Sequence, residues 1–204
     1  MNIFSDWLHG TTSIITHWKL TGRNVQKGGA QLHKALFFTT SRPFAELSSG
    51  AHARNTNVYL ANLIPGARVL DISDPGVTCT FKESNDLRLR VVNLRPGLCN
   101  EQALNQQDWE NAWRSGDIMK YFIGKTNIKM AMYAQVLKYM PGTPQAVAAW
   151  NAIQKATRDC IEDIVDASIA EGYQAVVGNE KQTHNTYPIL IVLDPGVITP
   201  PVKV

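Results

Sequence analysis

Two short segments carry residue types that can do chemistry, and they lie close together in the chain. The first is Leu8-His9-Gly10-Thr11, which reads as a strand running into a polar turn. The second is Ala35-Leu36-Phe37-Phe38-Thr39-Thr40-Ser41, a strand ending in hydroxyls, with a helix start at Pro43-Phe44-Ala45-Glu46. An imidazole beside a glycine offers a hydrogen-bonding ring next to backbone that a ligand can approach closely, because Gly10 has no side chain in the way. The Phe37 ring offers a face on which a flat ligand can stack. Each feature also has a plainer reading. His9 can be a turn histidine, and Thr39-Thr40-Ser41 can simply cap the next helix. Phe37 and Phe38 point to opposite faces of a strand, so at least one of them belongs to a core.

Certain elements must hold these groups in place. The front third reads as Trp7–Thr11 strand, Ser13–Leu20 short helix, Asn24–Lys34 polar loop, Leu36–Thr40 strand and Pro43–His52 helix. Val58–Leu63 and Arg68–Ile72 flank the turn signal Pro65-Gly66 and are expected to be adjacent strands. Leu87-Arg88-Leu89-Arg90 alternates in the manner of a solvated strand face. The middle is helical. Gln102–Phe122 carries Trp109, Trp113, Ile118, Met119 and Phe122 at helical spacing, and Ile128–Met140 continues with Met130, Tyr133, Val136, Leu137 and Met140. The clearest helix follows, with Thr143 as its cap, Pro144 in its first turn and Gly172 beyond its end. Its apolar stripe runs from Val147 and Trp150 through Ile153, Thr157, Cys160, Ile161, Ile164 and Val165 to Ser168. Core packing explains these Met, Trp and Cys residues better than a cofactor lining does. The tail returns to strands at Tyr173–Val177 and Tyr187–Leu193. The second is almost wholly apolar and is expected to be buried on both faces. Strands bracketing a helical block predict an α+β fold rather than a doubly wound parallel sheet.

The bulk numbers fit this outline. The chain has 204 residues, enough for one domain with a real core. Its hydrophobic fraction of 44% is that of an ordinary soluble globular protein. No run approaches the ~18 apolar residues of a span, and the amino terminus lacks the basic start of a signal peptide. A net charge of +3 with no basic run permits nucleic-acid contact without arguing for it. Cys79, Cys99 and Cys160 are widely spaced and odd in number, so neither a disulfide framework nor a zinc site is expected. No metal is expected, and a reducing cytoplasm fits best.

Three features in order resemble the ADP-ribosyltransferase superfamily, on its poly(ADP-ribose) polymerase and diphtheria-toxin branch. They are His9-Gly10-Thr11; Leu36-Phe37-Phe38-Thr39-Thr40 with the helix that follows; and the tail Glu171–Glu180 with Ile191-Val192-Leu193-Asp194-Pro195-Gly196-Val197-Ile198. The resemblance covers the front third and the tail. It implies a single domain over 1–204 with a split two-sheet β core and a helical insertion at about 101–171. It also implies NAD as co-substrate, with nicotinamide released and ADP-ribose passed to a macromolecular acceptor, either protein or nucleic acid. The catalytic set it implies is His9, Phe37 and Glu180. NAD would be held by His9, Gly10, Thr11, Phe37 and Thr39, with His9 on a ribose hydroxyl and Phe37 stacked on the pyridine. A small enzyme of this kind resembles bacterial effectors, phage-encoded modifiers and toxin components, for which an antitoxin, chaperone or immunity partner would be in keeping.

The chain departs from the family pattern twice. Phe37 stands where tyrosine is usual, which keeps the stacking face and loses a hydroxyl. Direct alignment of the last strand puts Ile189 at the usual glutamate position, leaving Glu180, on the loop Asn179-Glu180-Lys181-Gln182, as the carboxylate, with His184 as a further polar candidate nearby. The plain reading of Glu180 is an exposed loop charge. A second reading of the chain is therefore a non-catalytic relative that binds a nucleotide or a partner. A third, a phosphotransferase relative that removes a 2′-phosphate from RNA, would need basic residues lining the pocket, and Arg42, Arg54 and Lys34 do not form a recognisable set. Acceptor choice would fall to loops such as Gly22–Lys34 and Asn179–Asn185.

Overall fold

The computed structural model describes residues 3–4, 6–20, 24–25, 31–32, 34–48, 56–94, 104–118, 120–121, 128–182 and 184–204. Arg54, Cys99, Met119, Phe122, the end of the expected helix at His52 and most of the Gly22–Lys34 loop lie outside them. The fold is α+β, as expected. Among the described residues there are nine strands: β1 (Trp7–Thr11), β2 (Asn24–Val25), β3 (Gln31–Leu32), β4 (Leu36–Thr39), β5 (Asn57–Ala61), β6 (Val69–Asp71), β7 (Ala175–Gln182), β8 (Asn185–Val192) and β9 (Val202–Lys203). Five helices accompany them: α1 (Arg42–Ser48), α2 (Phe81–Leu94), α3 (Gln106–Ser115), α4 (Ile128–Tyr139) and α5 (Pro144–Ala170). Helices α3 to α5 fall within the stretch expected to be helical.

Seven strands form one mixed sheet in the order β6-β7-β8-β4-β1-β5-β9, and β2 and β3 form a separate pair. Within the large sheet only β6 and β7 run parallel. The expected pair of sheets is thus one continuous sheet, and its weakest seam lies at β1. Strand β1 is paired to β5 at all five of its residues, from Trp7↔Ala61 to Thr11↔Asn57. To β4 it is bridged at Leu8↔Thr39 alone.

The alternation of β8 builds two cores. Ile189 and Ile191 face helices α2, α3 and α5, packing with Leu87, Val91, Trp109, Trp113, Ile164 and Val165. Leu190 and Val192 face the other way, toward Trp7, Trp18, Phe38 and Tyr59. Burial of successive side chains on both faces is what the continuous apolar run predicts for an interior strand. The long helix α5 begins as its residues dictate: Thr143 Oγ1 accepts the Ala146 N–H at 3.2 Å, and Pro144 follows it. Cys160 is buried on that helix, and neither Cys79 nor Cys160 is in a disulfide. The start of the expected stripe behaves differently, since Val147 and Trp150 are exposed. No helix among the described residues is long and apolar enough to cross a membrane.

Four expectations are corrected. Residues 13–20 are not helical. Thr11 Oγ1 accepts the Ser13 N–H at 3.1 Å and the Tyr59 hydroxyl accepts that of Ile15 at 3.1 Å. Side chains thus take up the amide donors that would open a helix. Leu87–Arg90 lies in α2 rather than in a strand. Thr80 and Glu83 make a reciprocal capping box, with Glu83 N–H to Thr80 Oγ1 at 3.1 Å and Thr80 N–H to Glu83 Oε2 at 2.9 Å. Arg88 is buried there, donating to the Leu104 carbonyl at 2.8 Å. The runs around Pro65-Gly66 are not neighbours: β5 lies between β1 and β9, whereas β6 pairs with β7 across the sheet. The chain after β5 cannot fold straight back because β9 occupies that edge of β5 and Leu63 is bridged to Ile198. Lastly, Glu180 is on a strand. The β7–β8 hairpin stays in register from Ala175↔Val192 to Gln182↔Asn185, which moves the turn out to His184 and sets Glu180 opposite Tyr187.

Candidate functional site

His9 sits at the weak seam. Past the Leu8↔Thr39 bridge its imidazole takes the place of a ladder bond, with Nδ1 2.8 Å from the Phe37 carbonyl oxygen. A carbonyl can only accept, so Nδ1 carries the proton and Nε2 presents a lone pair. The ring is packed edge-on against Trp18 at 5.7 Å and tilted against Phe38 at 5.3 Å. Burial pushes the His9 pKa below its ordinary value, and the bond to Phe37 opposes that only in part. The group is therefore a neutral imidazole with a defined tautomer.

The aromatic beside His9 is Phe38 rather than Phe37. The two phenylalanines alternate, so Phe38 joins His9, Trp18 and Tyr59 on one face while Phe37 packs on the helix-covered face. Gly10 faces the helix side as well. A Cβ there would lie 1.7 Å from the Ala45 carbonyl oxygen, so the close approach that this glycine permits is made by the backbone of α1. Thr39 is buried, and its Oγ1 accepts the Ser41 N–H at 3.2 Å while Ser41 Oγ accepts that of Phe44 at 3.4 Å. These hydroxyls shape the turn from β4 into α1.

Phe37 and Glu180 line the same cavity. Between the sheet and α5 lies a cavity of about 580 Å3 lined by Phe37, Trp113, Ile118, Trp150, Gln154, Glu180, Ile189 and Ile191, among others. Glu180 reaches it from β7. Its backbone is fixed by α3, whose last turn ends at Gly116 in the left-handed region (φ 72°). There the Lys181 N–H donates to the Gly116 carbonyl at 2.9 Å. A Cβ on Gly116 would fall 2.7 Å from the Glu180 carbonyl carbon, so only glycine serves. Burial raises the Glu180 pKa, and a hydrogen bond from Gln182 Nε2 to its Oε1 at 2.8 Å works the other way. The neighbouring cation is engaged elsewhere, since Lys181 Nζ lies 3.2 Å from Asp117 Oδ2. The expected exposed loop charge is instead a largely desolvated carboxyl in an aromatic-walled cavity.

The expected site residues thus divide into two groups joined through one residue. The Phe37 carbonyl holds His9, and the Phe37 ring lines the Glu180 cavity. Ile189, at the family's glutamate position, lines the same cavity and is buried. His184 is exposed at the hairpin turn. The basic residues near the motifs do not converge. Lys34 pairs with Asp166 at 2.8 Å, and Arg42 pairs with Glu46 at 3.0 Å. Among the described residues no cluster of histidine, cysteine and carboxylate is suited to a metal ion. Sequence reasoning missed Trp150 and Gln154 as cavity residues, because both read as positions on an amphipathic helix. No family model, curated protein or solved structure matches the chain.

Proposed function

We propose that the chain is an NAD-dependent mono-ADP-ribosyltransferase with an ADP-ribosyltransferase-like domain whose reaction is centred on the β1–β4 seam. Phe37 carries the reading. One residue holds the neutral imidazole of His9 by its carbonyl and walls the Glu180 cavity with its ring. Loss of nicotinamide breaks the C1′–N bond, the bonding pair leaves with the neutral pyridine, and positive charge builds on the ribose. Such a reaction needs an acceptor for a ribose hydroxyl hydrogen, an aromatic surface, and a carboxylate that meets the charge or takes the acceptor's proton. His9 Nε2 suits the first role, and Phe37 and Glu180, raised in pKa by burial, the second and third from the other face of the sheet, so one NAD meets all three only where the singly bridged β1–β4 seam opens. The cavity volume falls in the range of small-molecule sites. Thr11 and Thr39 serve the backbone turns on either side.

A second reading, a non-catalytic relative that binds a nucleotide or a partner, is favoured by one observation: the rings of His9 and Phe37 lie on opposite faces of the sheet. The experiment that divides the two is nicotinamide release. Wild type, H9A and E180Q are incubated with NAD and a cell lysate, and both free nicotinamide and label transfer are followed. Release by wild type that falls at least about a hundredfold in both variants supports the transferase. Release lost in H9A and kept in E180Q rejects the carboxylate assignment. No release by wild type, with a thermal shift on adding NAD, supports the binding module.

A further inference from the structure

We propose that the cavity between the sheet and α5 binds a planar nucleobase bearing an exocyclic amino group, and this binding does not depend on the transferase reading.

The walls point to a flat ring. Phe37 lines the cavity from β4 and the half-exposed Trp150 lines it from α5. Trp113 is fully buried and packed on Gly178, so it backs the cavity without offering a stacking face. Stacking on the Phe37 and Trp150 rings is indifferent to base identity. Discrimination falls to the polar groups at the edge. Glu180 offers a carboxyl whose Oε1 is engaged by Gln182, and Gln154 offers both a donor and an acceptor. An amino group on a heterocycle can donate to that carboxyl, whereas a carbonyl in the same place would face an acceptor.

Two other occupants fit less well. A guanidinium is also flat and pairs with carboxylates, but a cavity of about 580 Å3 leaves most of its volume unfilled around so small a group. Among the described residues the cation lining the cavity is Lys181, and it is paired with Asp117, which disfavours a phosphate.

The test is calorimetric titration of the full chain with adenosine, guanosine, cytidine, uridine, nicotinamide and arginine amide, each without NAD. The expected result is saturable binding of the three amino-bearing nucleosides, with uridine weaker by at least about tenfold and with W150A and E180Q each weakening binding by about tenfold. Trp150 is exposed, so its loss leaves the core intact. The proposal is overturned if no nucleoside binds at millimolar concentration, if uridine binds as well as cytidine, or if arginine amide or nicotinamide binds in preference and is lost in W150A. Nicotinamide release is scored separately. Release without nucleoside binding sinks this inference and leaves the transferase reading standing. Nucleoside binding without release supports the subsite as a binding site and sinks the transferase reading.

Discussion

The Nδ1 of His9 lies 2.8 Å from the carbonyl oxygen of Phe37 at the point where β1 and β4 cease to be bridged. A side chain therefore completes the sheet where the backbone ladder fails. Replacing His9 by alanine leaves the Phe37 carbonyl without that donor, in a part-buried setting, and is expected to cost about 1–3 kcal/mol in urea denaturation. Asparagine places an amide N–H near the position of Nδ1 and has nothing at Nε2. H9N is expected to recover most of the lost stability and none of the nicotinamide release. If H9N and H9A were equally destabilised, the bond to Phe37 would not be what holds the seam.

The same burial predicts a dependence on acid. The His9 pKa is lowered from its ordinary value of 6.5, with desolvation the larger cause and the bond to Phe37 opposing it. Below 6.5 the unfolded chain binds this proton more readily than the folded one. The stability that depends on a neutral His9 is thus fully present above 6.5 and is lost as pH falls through the folded value. Wild type should lose stability relative to H9N over that interval. A wild-type advantage that grew on acidification would reverse the sign and reject the neutral imidazole.

Gly10 tests whether the seam is packed as described. Its missing Cβ would fall 1.7 Å from the Ala45 carbonyl oxygen, an atom of the α1 backbone that no rotamer change can move. G10A is expected to destabilise by about 1–3 kcal/mol by pushing α1 off the sheet. Ala45→Gly removes only a methyl group and should not rescue it. A G10A protein with wild-type thermal stability would show that α1 does not press on β1.

Much of the architecture was legible because local signals agreed with tertiary ones. The apolar run of β8 and the Thr143–Pro144 start of α5 both mean in the fold what they mean in isolation. Failures came where a local pattern fitted two periods. Leu87-Arg88-Leu89-Arg90 alternates, yet Thr80 and Glu83 three residues apart mark a helix start, and reading that pair would have found α2. Pairing around Pro65-Gly66 was illegible because the edge of β5 is claimed by β9, more than a hundred residues later in the chain. At the site, the sequence brought out His9, Phe37 and Glu180. It did not reveal that alternation turns Phe38 rather than Phe37 toward His9, since the sharing of a face depends on the register at Leu8↔Thr39. Nor did it reveal that a hairpin in register to Gln182↔Asn185 carries Glu180 off the turn and into a cavity.

Glu180 should show the opposite pH behaviour to His9. Its pKa is raised from 4.5, with desolvation the larger cause and the hydrogen bond from Gln182 pulling it down. Among the described residues the adjacent cation, Lys181, is paired with Asp117. The folded chain therefore holds this proton more tightly than the unfolded one. The contribution of the protonated carboxyl is fully present below 4.5 and is lost as pH rises through the folded value. Glutamine keeps the shape and cannot ionise, so E180Q should gain stability relative to wild type across that rise and hold the gain at neutral pH. Urea midpoints of the two proteins over a pH series give the difference directly. A difference that stayed flat would mean the carboxyl is solvated. It would then be an ordinary surface charge, and the cavity would lose the one group that gives it chemistry.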